Sequence, residues 1–453
     1  MKSAKLRASK VTNMTEGSPL KHILLFSLPM LVGNIFQQLY NLADSVIVGR
    51  LVGSNALAAI GATSSVTFLF IALCNGIGSG GGIITSQHFG SGNEANIKKS
   101  MINTAYIMFV FPLAVGLMAF VLAGPILRLL ETPENIMADS LSYIRIMCIG
   151  IVFVSLYNFA SSMMRALGDS KTPLYFLVFS CVLNVGLDFF FVYTLNTGVT
   201  GAAIATIISQ LVSGITCLAY ALKTNPYFKF QKEDFQFDKD IALSIIKLGV
   251  PLSLQFSLIA ISCMALQRVV NTFGEVAIAA FTATSRIEQL IHQPYQTLGS
   301  SLSTYTGQNY GANKKDRVLA GYKKSLVVMV VFTLLMLPVM QFCGEWIMSI
   351  FVKERDVIEM GAKALKITCL FYIFLGMIYV VRGVLNGLGD SFFALFNGIV
   401  EVFGRFIVPV ALTGIAAIGL WGIWWSAGIV WFLSGFTAWL RYKWYMKKRI
   451  FNG

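Results

Sequence analysis

The sequence predicts an all-α polytopic membrane protein, with twelve transmembrane helices in two parallel six-helix repeats. Three observations predict this. The 453-residue chain is 56% apolar and has a mean hydropathy of +0.71, while only 12% of its residues are charged, about half the share usual in soluble domains. Apolar runs long enough to cross a hydrocarbon layer of about 30 Å as a helix recur along its whole length. The chain also matches itself at a nearly constant shift of 221 residues.

The spans fall near residues 22–48, 57–86, 101–123, 140–163, 174–193, 200–222, 243–270, 277–305, 323–343, 359–382, 392–412 and 419–440. Before them lies a polar, basic stretch, residues 1–21, with no cleavable signal pattern; it reads as a cytoplasmic tail. Residues 223–242 form the only long polar connection, the expected link between an N-terminal lobe (22–222) and a C-terminal lobe (243–440). Residues 441–453 read as a basic cytoplasmic tail. Of the 35 Lys and Arg residues, 25 fall on the side of both termini, five on the other side (Arg50, Arg128, Arg268, Lys353, Arg355) and five within spans. By the positive-inside rule both termini are cytoplasmic, in a bacterial-type inner membrane. The net charge of +14 is thus a topology signal, and nucleic acid is not an expected partner.

The repeat rests on several markers in register. Gly53 aligns with Gly274, Gly90 with Gly311, "ALGDS" (166–170) with "GLGDS" (387–391), and Gly198 and Gly201 with Gly419 and Gly422. Pro29 aligns with Pro251 at a shift of 222. Six spans per half is an even number, so the halves share one orientation, related by an axis along the membrane normal. Seven cysteines, scattered singly, read as buried packing thiols, and three distant histidines form no metal cluster. Trp421, Trp424 and Trp425 at one end of the last span, and Trp439 and Trp444 at the other, read as an aromatic belt.

Membrane-embedded polar residues carry the functional signal. Burying an ionised Asp at mid-membrane costs about 2.5–3.5 kcal/mol on insertion scales. Protonating it at pH 7 costs about 4 kcal/mol from its reference pKa. The two costs are similar, so modest changes in surroundings can tip the group either way. A rise of about 1.5 Å per residue puts Asp44, Asn184, Asp188 and Thr206 all in the outer half of the membrane. Four such oxygen-bearing side chains suit a proton or a small hard cation such as Na+; the alternative is a set of helix-bridging hydrogen bonds with no ion. Their repeat partners are Ala265 or Leu266, Arg405, Pro409 and Ala427, so repeat packing alone does not require them. In the C-terminal half, Glu401 and Arg405 are spaced to pair on one helix face. Glu288 reads equally as an ion-pair partner of Arg286 or another neighbour, or as a cavity residue.

Together "SLPMLVGNIFQQLYNLADSVIVGRL", "RALGDSKTP", "NVGLDFFFVYTLNTGVTGAAIAT" and "SRIEQLIHQP" resemble the multidrug and toxic compound extrusion (MATE) transporters, from about residue 15 to 445, and most nearly the DNA-damage-inducible protein F-like branch. The resemblance implies a V-shaped pair of lobes and efflux of small organic cations by H+ or Na+ antiport. It also implies a cation site at Asp44, Asn184, Asp188 and Thr206, and a bend of the first helix at Pro29. Tyr40, Asn41, Gln255, Glu288, Glu401 and Arg405 are candidates for a substrate cavity. The branch of sodium-driven norfloxacin pumps has an acid in the seventh helix, where this chain has Gln255; no cation site is therefore expected in the C-terminal lobe. No cofactor is expected, and the chain is expected to be a monomer in the lipid bilayer. A lipid-linked-sugar flippase is the alternative, disfavoured because the embedded acids offset Arg145, Arg286 and Arg405. A channel is disfavoured by a repeat with asymmetric acids. An enzyme is not expected, since no nucleophile, base or cofactor motif is present.

Overall fold

The computed structural model describes residues 11–451, and helix occupies nearly all of them, with no strand among them. The helices are α1 (Pro19–Leu51), α2 (Ser54–Ser91), α3 (Glu94–Leu129), α4 (Glu134–Ala166), α5 (Lys171–Asp188) and α6 (Gly198–Thr224). The second half gives α7 (Lys239–Val270), α8 (Glu275–Gly311), α9 (Lys315–Phe342), the short α10 (Gly344–Phe351), α11 (Arg355–Thr368), α12 (Tyr372–Gly387), α13 (Ser391–Thr413) and α14 (Gly422–Tyr445). A single turn, Cys369–Phe371, joins α11 to α12, so the two form one span, Arg355–Gly387.

Eleven helices among the described residues are long and apolar enough to cross a membrane. The remaining expected span, 277–305, lies within α8. Its 37 residues are ample in length, but Arg286, Glu288, His292 and a run of Ser, Thr and Gln make it too polar to qualify by composition. The outward faces of the other helices are apolar, as lipid contact demands: Leu117, Val121, Leu334 and Phe403 are all more than half exposed.

The repeat is written into the backbone. Positive φ recurs at Gly53 and Gly274 (120° and 85°), at Gly168 and Gly389 (83° and 90°), and at Gly198 and Gly419 (59° and 49°). At the end of the second helix of each half the pair is Gly92 and Asn313 (72° and 56°), Asn being the side chain that best tolerates this left-handed region. The turn after α4 is closed by Gly168 N–H to Arg165 O at 2.9 Å, and its counterpart by Gly389 N–H to Asn386 O at 2.9 Å.

The described residues form two compact units, residues 11–14 with 28–253, and residues 15–27 with 254–451. The polar connection 223–242 was expected to separate the lobes. Instead it folds onto the first unit: Phe228 is buried, Tyr106 Oη donates to Phe235 O at 2.8 Å, and Asp238 N–H donates to Asn103 Oδ1 at 3.0 Å. The first unit then continues to Ser253. Small residues explain why: a Cβ on Gly80 would lie 2.6 Å from Gly249 N, and Ser253 Oγ donates to Leu73 O at 2.6 Å, so α2 and α7 approach backbone to backbone. Reciprocally, the start of α1 belongs to the second unit, where Ser301 Oγ donates to Ile23 O at 2.9 Å. Gly80 and Ser301 are repeat partners at the shift of 221.

Three smaller expectations change. Residues 11–18 are not a loose tail: Met14 is fully buried, Thr12 N–H donates to Leu167 O, and Lys314 and Arg317 donate to the carbonyls of Thr15 and Gly17, both at 2.9 Å. Residues 1–10 and 452–453 of the expected tails lie outside the described residues. Trp424 is buried in the bundle with its indole N–H on Thr284 Oγ1 rather than in an interfacial belt, although Trp425 and Trp444 are exposed. Cys263 and Cys343 are exposed rather than packed.

Candidate functional site

In the first unit the chain brings one group of polar side chains together. Asn184 and Asp188 lie four residues apart on one face of α5, and both are buried. Beyond Asp188 the helix widens into a π-type turn, Phe189–Thr194, with Leu195 N–H bonded to Phe190 O. Such turns are rare and concentrate at functional sites. From α6, Thr206 presents Oγ1 to Asn184 Nδ2 at 3.4 Å and to Tyr40 Oη at 3.4 Å. Asp44, one turn along α1 from Tyr40, places its carboxyl within hydrogen-bonding reach of Asp188. Its Oδ1 is buried without a hydrogen-bond partner.

All four residues expected from depth therefore converge, and Tyr40 joins them. Tyr143 on α4 is an addition the sequence did not show. It is 8% exposed and interacts electrostatically with both carboxyls. It belongs to an apolar layer with Val48, Met147, Val192, Val199 and Ala202, which keeps water from that flank. Asn41 points elsewhere: it is exposed, and its Oδ1 accepts from Gln37 Nε2 within α1. The donor set, two carboxyls with an amide and hydroxyls, fits a proton or Na+; the orphaned Asp44 oxygen is the acceptor such an ion would satisfy. No group of three or more His, Cys, Asp or Glu residues suited to a metal comes together among the described residues.

The second unit holds a different network. Glu401 does meet Arg405, at 3.7 Å, but its closer partner is Arg382 from α12. Arg382 also donates to Asn397 Oδ1 at 2.7 Å, and Ser434 donates to both Asn397 and Glu401. The carboxylate is thus held by two guanidiniums and a hydroxyl, the arrangement a buried charge requires. Arg382 was missed because it sits at a span end, where a basic residue reads as a topology marker. Gln255 is buried, its Cγ 3.1 Å from where a Cβ on Gly398 would lie. Glu288 makes no ion pair with Arg286, which is exposed; two positions back on a helix it faces away. Pro29 lies inside α1, where its missing N–H leaves the carbonyl one turn earlier without its usual donor.

A fold of this kind, helices in two repeated units with carboxyls buried in an apolar bundle, defines a multi-pass membrane transporter. The MatE family model matches residues 29–190 and again 251–420, and the chain belongs to that family of multidrug and toxic compound extrusion transporters. It is therefore a transporter and not an enzyme. It is 31% identical over 436 residues to the probable multidrug resistance protein YpnP of Bacillus subtilis, covering 96% of this chain and 97% of that one. It is 25% identical to the multidrug export protein MepA of Staphylococcus aureus, covering 94% of each. Its fold matches a MOP superfamily transporter from Pyrococcus furiosus with a TM-score of 0.89 at 23% identity, over 96% of this chain and 97% of that one.

Proposed function

We propose that the protein exports amphipathic organic cations from the cytoplasm by antiport against H+ or Na+, with both termini cytoplasmic in a bacterial plasma membrane. The two relatives named above, one a probable multidrug resistance protein and one a multidrug export protein, support drug export. The observation that carries the coupling is the meeting of Asp44 and Asp188 inside an apolar bundle. Two carboxylates so close repel each other unless a cation joins them, and desolvating both is costly. The cation enters among Asp44, Asn184, Asp188 and Thr206, with Tyr40 and Tyr143 orienting the oxygens.

Coupling follows if ion and substrate prefer different states, because a ligand with equal affinity for both shifts neither. The ion-loaded pair is compensated and closes; Pro29, where the backbone ladder of α1 is already broken, is the place for the helix to bend. Closure lowers affinity for the cationic substrate, which leaves outside; loss of the ion to the cytoplasm resets the site. Ion and substrate must then weaken each other by the same factor. Export of a fluorescent organic cation from proteoliposomes tests this, with a Na+ gradient and a pH gradient imposed separately. Export driven by neither gradient rules the proposal out.

A further inference from the structure

The second unit contains a set of polar atoms that the coupling site does not use. Glu288 Oε1 and His292 Nε2, one turn apart on α8, are buried without hydrogen-bond partners. Thr368 Oγ1 and Tyr372 Oη, on residues with no exposure at all, are buried without partners as well. These four belong together: Glu288 interacts with both Thr368 and Tyr372. Aromatic rings wall the histidine, with Trp431 at 5.6 Å and Tyr379 at 6.4 Å between ring centroids. Thr368 lies within reach of both Glu288 and Tyr372 without a well-formed hydrogen bond to either, and four under-satisfied polar atoms in one place mark something other than packing.

The neighbouring Arg382–Glu401–Arg405 network is the contrast. Its acceptors are filled, and it stands as a structural ion network. It also sets the local charge. Two guanidiniums and one carboxylate leave one positive charge in excess, and Arg405 interacts with both Glu288 and His292. The other titratable groups facing the set are Tyr379 and Cys369 from the α11–α12 span, Tyr295 from α8, Glu401 from α13, and Cys263 from α7, which meets Arg405. Lys363 and Lys366 on α11 are exposed and face away. An imidazole one turn along the same helix face from a carboxyl can relay a proton, one ring nitrogen accepting as the other donates, which a lone buried carboxyl cannot do.

We propose that Glu288 is an exchangeable proton site in the second unit, with His292, Thr368 and Tyr372 as positioning residues. Proton binding there neutralises the carboxylate, and proton release restores the counter-charge to the excess guanidinium. This goes beyond the coupling site above, which lies wholly in the first unit, and it departs from the expectation that the C-terminal half lacks a cation site.

The test is infrared difference spectroscopy of the purified full-length protein in lipid, stepping pH and reading the C=O stretch of protonated carboxyl groups. In an Asp44→Asn, Asp188→Asn double variant, one pH-dependent carboxyl band should remain. Adding Glu288→Gln should remove it, and His292→Gln should instead shift its midpoint while the protein stays monodisperse. A residual band unchanged by Glu288→Gln, or no pH-dependent band in the double variant, overturns the proposal. The two readings fail separately: normal export by the double variant refutes the first-unit coupling site whatever the infrared band does.

Discussion

Replacing Asp188 by Asn tests the coupling site most directly. Asp188 has no exposure, and its carboxyl is within hydrogen-bonding reach of Asp44. A cation held between them sits roughly 4 Å or less from each charge centre, so each carboxylate contributes about 4 kcal/mol at an effective dielectric constant near 20. Removing one should weaken ion binding by about three decades, at 1.4 kcal/mol per decade. Folding should not suffer in proportion, because the substitution also removes a carboxylate pair's mutual repulsion and leaves an amide that is cheaper to bury. The assay is equilibrium binding of a fluorescent organic cation to purified protein, titrated against pH and separately against Na+. In the wild type, raising the coupling ion should displace the dye. In Asp188→Asn the midpoint of that displacement should move to far higher ion concentration, or vanish from the accessible range, while dye binding at low ion persists. A variant with the wild-type midpoint for both ions would falsify the assignment of Asp188.

Other consequences can be checked as directly. Thr206→Ala removes the hydroxyl shared by Asn184 and Tyr40, and should weaken ion binding about fivefold, in line with about 1 kcal/mol for a hydrogen bond at 1.4 kcal/mol per decade, without lowering the detergent melting temperature by more than a few degrees. Arg382→Met strips Glu401 of its nearer guanidinium and should destabilise the protein by about 3–5 kcal/mol. A melting curve indistinguishable from wild type would show that network to be dispensable. Gly80→Val drives a side chain into the backbone of Gly249 and should reduce the yield of folded, monodisperse protein, whereas Gly124→Val, where a Cβ meets nothing within 4 Å, should be tolerated. Membrane-impermeant labelling of single cysteines placed in residues 2–10 and 223–240 should mark both only when the cytoplasmic face is open; labelling of either from outside intact cells contradicts the charge-based topology.

The sequence made some of this legible because the membrane imposes strict rules. An acid in an apolar run is so costly that Asp44 and Asp188 announce themselves, and a fixed rise per residue turns position into depth. Asn184 and Thr206 followed from the same ruler. Tyr143 did not, since a tyrosine in "SLSYIRIM" has no property to separate it from packing until α4 is seen beside the carboxyls. Arg382 and His292 were hidden for the opposite reason: each has an ordinary reading, topology marker and stray histidine, and only three-dimensional neighbours distinguish them. The extension of the first unit to Ser253 was not legible in the polar stretch 223–242, because polarity locates water whereas Gly76, Gly80, Gly249 and Ser253 decide which helices touch.

The placement of the first nine residues of α1 with the second unit bears on how the protein is made. Ile23 leaves the ribosome well before its partner, since the hydroxyl that donates to its carbonyl belongs to Ser301, 278 residues later. The start of α7 faces no such delay, since Leu73 and Gly80 are already in the membrane when Gly249 and Ser253 arrive. The first unit can thus assemble nearly complete during translation while the beginning of its own first helix waits for a partner. For that interval the insertion machinery or the surrounding lipid must shelter residues 19–27. A nascent chain released before α8 has formed leaves them as an unburied handle for the membrane's quality-control proteases.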